Sequence, residues 1–298
     1  MQRKAWFEIH DHRLFPQFLR DLVTEALEAV WNRSRVYSVI VPRLRQALDR
    51  SGAERIVDLC SGGGGPWLGL YGEVADADEV AAGRRRLPLC LTDKYPNAHA
   101  FAQAAQGSNG EITGYAESVD ATCLPPELSG FRTLFSAFHH FRPAQAQAML
   151  ADAFARRDGI AVFEVGQKNA RTLLATLAVP LLSLPNALWA RPFRWKRFFW
   201  TWLVPVIPAI LWIDGTLSCL RSYSTDDLLE LTQTLQAPDY EWQVGEERRG
   251  LAGIVYLIGI PVNRSLQVFV NKEKSRVEER FSAVREHDFL PVAESIRL

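Results

Sequence analysis

Four consecutive glycines, Gly62 to Gly65, follow the apolar run Arg55-Ile56-Val57-Asp58-Leu59 by way of Cys60 and Ser61. Successive glycines cost chain entropy, so a run of them after a buried strand marks backbone that must come close to something without side chains. A ligand is one such neighbour; an ordinary tight turn from strand to helix is the other reading. Two carboxylates follow. Asp93 closes Leu-Cys-Leu-Thr-Asp, where an acid at a strand end accepts hydrogen bonds from sugar hydroxyls, and Asp120, after the next apolar run, is suited to accept from an exocyclic amine. Each taken alone also reads as a helix cap or turn residue. His139 and His140 lie in Phe-Ser-Ala-Phe-His-His-Phe, residues 135–141; imidazole titrates near neutral pH, so either is a candidate general base, with packing against the backbone as the alternative. Glu164 ends Ala-Val-Phe-Glu, either facing substrate or capping a turn. His10 and His12 have no second cluster of ligands near them, so a solvated helix face or turn is expected there and no metal site is assigned.

These residues need a scaffold that gathers strand ends. Short apolar runs ending in Gly, Asp or His, separated by helix-length stretches, predict parallel strands near 55–59, 87–92, 112–116, 133–136 and 159–165. Ligands collect at the carboxyl ends of such strands. The alanine- and glutamine-rich stretch 143–156 predicts a helix. Apolar positions at three- and four-residue intervals, Phe15, Phe18, Leu19, Leu22 and Val23 among them, predict a helical cap over residues 1–50. Ser224-Thr225-Asp226-Asp227 opens a further helix, and the segments 240–246 and 253–260 predict a closing hairpin. The charged stretch 262–298 is expected to be a loose helix or a partly disordered tail.

Residues 172–213 break the pattern. They contain no acid and carry Trp189, Trp195, Trp200, Trp202 and Trp212, five of the nine tryptophans. Pro180, Pro185, Pro205 and Pro208 interrupt the uncharged stretches, so a membrane-spanning hairpin is not expected. Two main readings remain, with a protein-partner surface as a third. The insert is a hydrophobic lid over the sheet, or it touches a bilayer peripherally, with Trp side chains and Arg191, Arg194, Lys196 and Arg197 at headgroup level. Both imply an apolar substrate. Within the same region Asp214-Gly215 reads as a turn, while Arg221 and Tyr223 reach substrate or pack.

The 34 basic and 34 acidic side chains balance, which gives no field for nucleic acid. With 48% hydrophobic and 23% charged residues the 298-residue chain has the composition of a globular protein. Cys60, Cys90, Cys123 and Cys219 form no C-x-x-C pair, which argues against zinc and for a reducing compartment. Without an apolar run behind the basic amino terminus, no secretory signal is expected, so a cytoplasmic protein, with or without membrane contact, is the expectation.

Together the stretch Val-Asp-Leu-Cys-Ser-Gly-Gly-Gly-Gly, Asp93, Asp120-Ala121 and Phe-Ser-Ala-Phe-His-His-Phe resemble the motifs of the class I S-adenosylmethionine-dependent methyltransferases. The resemblance implies an α/β, Rossmann-like, seven-stranded, mostly parallel sheet with an antiparallel last strand, here with an N-terminal helical cap and a hydrophobic helical insert. It implies S-adenosylmethionine as cofactor, bound by Asp58, Cys60, Ser61, Gly62, Gly63, Gly64, Asp93, Lys94, Asp120, Ala121, Ser136 and Ala137, with Asp58 toward its amino-acid end. Phe138, His139, His140, Glu164 and Tyr223 would meet the substrate, with His139 or His140 catalytic. Cys60 replaces the first glycine of the family's loop, and Arg132-Thr133 stands where an aspartate commonly precedes the fourth strand. The expected divisions are a cap at 1–50, a cofactor core at 51–171, the insert at 172–213, the end of the core at 214–261 and a tail at 262–298. Methyl transfer to a hydrophobic small molecule or lipid-like acceptor is the expected activity. A cofactor-binding membrane scaffold without that activity, or a different reaction of the same cofactor, is the alternative.

Overall fold

The computed structural model of the chain describes Ile9, His12 and residues 14–75, 86–167, 169–189, 193–250 and 252–262. The chain divides into two units, Met1–Pro261 and Val262–Leu298. The expected tail falls in the second, and residues 263–298 lie outside the described residues, as does His10.

Seven strands form one sheet: β1 (Ile56–Leu59), β2 (Leu89–Leu91), β3 (Ile112–Gly114), β4 (Phe131–Phe135), β5 (Ile160–Val165), β6 (Tyr240–Arg249) and β7 (Ala252–Pro261). Their spatial order is β3-β2-β1-β4-β5-β7-β6. Strands β1 to β5 are mutually parallel, whereas β7 runs antiparallel to both β5 and β6. The first reversal of order, between β2 and β4 on either side of β1, sits where the glycine run leaves the sheet. Such a switch point opens a crevice at the strand ends.

Helices cover both faces. One core joins α2 (Val41–Ser51), α3 (Trp67–Val74) and α4 (Ala98–Gly107) to the sheet through Leu44, Trp67, Phe101 and Phe163. The other packs α5 (Pro143–Arg156) and a late helix, Thr225–Thr232, through Met149, Leu150, Leu228 and Leu257. Strand β4 starts at Phe131, two residues earlier than the apolar pattern predicts, because Arg132 is buried in it, paired with Asp152 at 2.7 Å and Asp158 at 2.8 Å. A charged residue hides a strand from a reading based on hydrophobicity, and here two carboxylates make its burial tolerable.

A third layer stands over the carboxyl ends of the strands. It consists of α1 (Gln17–Ser34), α6 (Ala170–Trp189), a helical segment Trp195–Leu203 and α7 (Val206–Arg221). Leu22, Val23 and Ala26 of α1 pack on Ile207, Ile210 and Leu211 of α7. Pro180 and Pro185 lie inside α6, while Pro205 and Pro208 fall at the start of α7, where a missing N–H is least costly. Asp214-Gly215 is no turn: it lies within α7, where the Asp214 carboxylate accepts the N–H of Ile9 at 2.8 Å. Packing between cap and insert has overridden the local turn signal. Among the described residues no single helix is long and apolar enough to cross a membrane; Trp195–Leu203 and Val206–Arg221, bent by 70°, meet the length and composition only as a broken pair.

Candidate active site

The turn after β1 takes left-handed backbone at Cys60, Gly62, Gly64 and Gly65, with φ of 58°, 55°, 110° and 58°. Gly62 and Gly63 serve a further purpose. A Cβ on Gly63 would lie 3.2 Å from the Thr24 carbonyl carbon and oxygen, and one on Gly62 would lie 3.5 Å from the Thr24 methyl. At Gly63 the tight neighbour is therefore α1, whereas at Gly62 the contact with α1 is ordinary and the left-handed backbone is what favours glycine.

Asp58 does not line the cavity described below. It is buried within β1, where its Oδ1 accepts from Thr133 Oγ1 at 2.6 Å and its Oδ2 from Ser61 Oγ at 2.7 Å. Burial is the main reason its pKa rises to about 6, with both hydroxyl donors opposing the rise. Its work is to hold the loop and β4 together; Thr133, which stands in the place of the missing family aspartate, is half of that clamp. Ser61 N–H also donates to the carbonyl of Thr92 at 2.9 Å, tying the loop to β2.

Asp93 follows β2. Its Oδ2 accepts from Gly62 N–H and its Oδ1 from Tyr95 N–H, both at 2.7 Å, so it braces the same loop. Asp120 closes an Asx-type turn, Oδ1 accepting the Thr122 N–H at 2.9 Å and hydroxyl at 2.6 Å, and these bonds hold its carboxyl below the usual range. Ser136, after β4, has φ of 45°; its Oγ lies 2.7 Å from the Tyr37 hydroxyl and accepts from Val165 N–H at 3.2 Å. Cys60 to Gly63, Asp93-Lys94, Asp120-Ala121 and Ser136-Ala137 all line one cavity of about 1430 Å³. Asp58 and Gly64 do not.

A glycine turn after β1, an acid after β2 and an antiparallel β7 between β5 and β6 now stand in one sheet of order 3-2-1-4-5-7-6. This is the class I methyltransferase fold. No protein-family model and no curated protein matches the sequence. Among solved structures, the chain is similar to an O-methyltransferase family 2 protein from Planctomyces limnophilus in complex with apigenin, with 12% identity and a TM-score of 0.46 over 85% of this chain and 62% of that one. It is also similar to the methyltransferase domain of bacterial CtHen1, at 9% identity and 0.42 over 76% and 99%. An O-methyltransferase from neocarzinostatin biosynthesis, solved with S-adenosylmethionine and 2-hydroxy-5-methyl naphthoic acid, matches at 13% and 0.39 over 75% and 57%. The chain spans less than two thirds of the length of both O-methyltransferases.

For a class I methyltransferase fold the donor set of the cavity fits S-adenosylmethionine: carboxylates for ribose and amine, backbone of a glycine turn, and small residues Ala121 and Ala137 against a flat ring. The volume, about 1430 Å³, exceeds the ~300 to 1,000 Å³ usual for one small ligand, so it has room for two.

His139 and His140 both border the cavity, their rings 4.3 Å apart. His139 is buried, with Nδ1 2.5 Å from Glu164 Oε2, while Glu164 Oε1 accepts from Phe138 N–H at 2.7 Å. Glu164 does not line the cavity; in the neutral tautomer protonated on Nδ1, His139 donates to its carboxylate and carries the ring lone pair on Nε2. Phe138 and Tyr223 are also displaced from the expected substrate surface. Both are fully buried, their rings 5.2 Å apart in the core, and the Tyr223 hydroxyl donates to the Phe141 carbonyl. Arg221 donates to the carbonyl of His139 at 3.1 Å. Among the described residues no group of three or more His, Cys, Asp or Glu is placed to hold a metal ion.

The cap forms one wall through Arg20, Thr24, Leu27, Glu28 and Trp31 of α1, side chains that the sequence reading placed in the cap without naming them individually. The i, i+4, i+7 spacing of those positions was the available signal. The opposite wall is the insert, through Thr172, Thr176, Val179 and Leu182 of α6 and Leu211 of α7. Cap and insert are locked together by Glu25, which accepts from Arg194 at 2.6 Å and Arg197 at 3.2 Å. Both arginines are thus engaged with Glu25, Arg197 buried and Arg194 half-buried; Lys196 is exposed and Arg191 lies outside the described residues.

Proposed function

We propose that the protein transfers a methyl group from S-adenosylmethionine to a hydroxyl of a hydrophobic small molecule or lipid-like acceptor, with His139 as general base. One observation carries this: a single cavity joins the glycine turn, Asp93 and Asp120 at one side to His139 and the apolar side chains Val179, Leu182 and Leu211 at the other. The cofactor supplies an electrophilic methyl on a sulfonium. The chain's part is to hold the two reactants in line and exclude water, which in favourable cases lowers a barrier by roughly 7 to 11 kcal/mol. Cap and insert supply the exclusion, and Glu164 fixes the tautomer in which His139 Nε2 takes the hydroxyl proton.

Calorimetric titration of S-adenosylmethionine tests the cofactor reading. Binding that Asp93→Ala leaves unchanged overturns the placement of the cofactor. Mass spectrometry of cell extract incubated with the protein and isotopically labelled methyl donor identifies the acceptor; label found only on strongly polar products overturns the apolar reading.

The same insert supports a peripheral membrane contact as the route of a lipid-like acceptor. Its outer side exposes Leu174, Leu177, Leu181, Trp195, Trp202 and Trp212, and Leu182 is both exposed and part of the cavity wall. A helix apolar on both sides suits neither water nor a simple surface helix. Tryptophan and the exposed Lys196 suit an anionic bilayer interface. Flotation with anionic vesicles is the check: recovery in the vesicle fraction that Trp195→Ser plus Trp202→Ser abolishes supports the contact, and none with the wild type overturns it.

A further inference from the structure

Asp58, the carboxylate expected at the amino-acid end of the cofactor, is sealed inside the fold by Thr133 and Ser61. Another acid lies on the cavity side of the same loop. Glu28 of α1 lines the cavity, and a Cβ placed on Gly63 would come within 3.2 Å of its Oε2. Among the described residues its one hydrogen-bond donor is Asn32 Nδ2, at 3.5 Å. Asn32 is itself anchored to the loop region, donating to the Gly65 carbonyl at 3.3 Å and accepting from Gly69 N–H at 2.8 Å.

The other acids of the cavity are engaged. Asp93 accepts two backbone N–H groups, Asp120 the Thr122 pair, Asp21 the Gln17 amide at 2.8 Å and Asp214 the Ile9 N–H. Glu25, one turn before Glu28, is matched by Arg194 and Arg197. No ion pair among the described residues includes Glu28. A carboxylate held in a cavity without a cation is costly unless a ligand brings one, and an ammonium group brought there needs an anion in return.

We propose that Glu28 receives the α-ammonium of the methionine end of S-adenosylmethionine, a binding role that rests on the cofactor reading above. Glu28 thereby replaces Asp58 in that role, reaching the loop from the cap and not from the sheet. The consequence is linkage to protons. Burial, reinforced by the charge of Glu25 and opposed by Arg197, raises Glu28 to about 8. Those two groups face it from α1 and the insert, with Cys60 on the loop and Asp93 and Lys94 beyond β2 on the remaining walls. At pH 7 the empty site holds the acid mostly neutral, and an arriving ammonium ionises it and releases close to one proton. Affinity therefore climbs as pH rises toward 8, up to the point where the ligand's own ammonium loses its proton.

The test is titration calorimetry of the wild type and Glu28→Gln with S-adenosylmethionine, S-adenosylhomocysteine and methylthioadenosine, in two buffers of different ionisation enthalpy, with circular dichroism to verify the variant's fold. The expected result is a loss of tenfold or more for the first two ligands, both of which carry the ammonium, and no change for methylthioadenosine, which lacks it. Proton release at pH 7 is expected in the wild type and absent in Glu28→Gln. Unchanged affinity for S-adenosylmethionine in the variant, or an equal loss for all three ligands, overturns the proposal while leaving the cofactor reading intact. Failure of the wild type to bind either ammonium-bearing ligand overturns the cofactor reading itself.

Discussion

The imidazole of His139 is held by the carboxylate of Glu164, Nδ1 to Oε2 at 2.5 Å, at the edge of the cavity and below the surface. Two strand ends meet in that contact, since His139 follows β4 and Glu164 lies in β5. If His139 is the base, His139→Ala lowers kcat by about 10² to 10⁴-fold with cofactor affinity unchanged. Glu164→Gln keeps an acceptor for Phe138 N–H but weakens control of the tautomer, so kcat falls about tenfold or more while KM holds. Steady-state kinetics with calorimetry of cofactor binding measures both. Turnover preserved in His139→Ala refutes the assignment.

Asp58 predicts a pH dependence of stability. Its folded pKa, about 6, lies above the ordinary 3.8, so ionisation opposes folding. Its contribution is full below pH 4 and is lost as pH rises through 6, by up to ~3 kcal/mol from a shift of about two units. Asp58→Asn cannot ionise. Thermal melts of both proteins between pH 4 and 7 are expected to diverge, the wild type losing Tm relative to the variant as pH rises; parallel curves would sink the claim.

The approach of α1 to the loop predicts opposite signs for two glycine substitutions. Gly63→Ala puts a methyl 3.2 Å from the Thr24 backbone, which has no freedom to give, so a loss of about 1 to 3 kcal/mol and weaker cofactor binding are expected. Gly72→Ala, exposed within α3 with nothing near its Cβ position, should gain about 0.5 to 1 kcal/mol. Chemical denaturation of the two variants reads both effects.

Glu25→Ala leaves the buried Arg197 guanidinium without its carboxylate, and the expected cost is about 3 kcal/mol or more. Because this ion pair joins cap to insert, the loss should concentrate there. Hydrogen exchange is expected to quicken across α1 and residues 195–203 with little change in β1, β4 and β5. Uniform quickening over the whole sheet would show that the pair is not local to the lid.

Periodicity and turn chemistry are local, and what they fix was legible in the chain. The span Pro143–Arg156 is the helix predicted, the hairpin closes with Arg249 opposite Ala252, and the glycine turn stands after β1 with Asp93 behind β2. Those features follow from side-chain polarity and backbone freedom within a few residues, so the sequence by itself determined the α/β class, the order of the strands along the chain and the glycine loop that lines the cavity. Partner choice was not legible. Nothing local distinguishes Asp58, closed off by Thr133 from another strand, from Glu28, open to the cavity, nor Arg194 and Arg197, bound to Glu25, from the exposed Lys196. Whether a carboxylate braces the fold or faces a ligand depends on which groups, more than a hundred residues away in some cases, the packing of cap, insert and sheet brings within 3 Å of it. Desolvation and hydrogen bonding are set at that range, and so only the tertiary structure decided which acids hold the fold and which line the site.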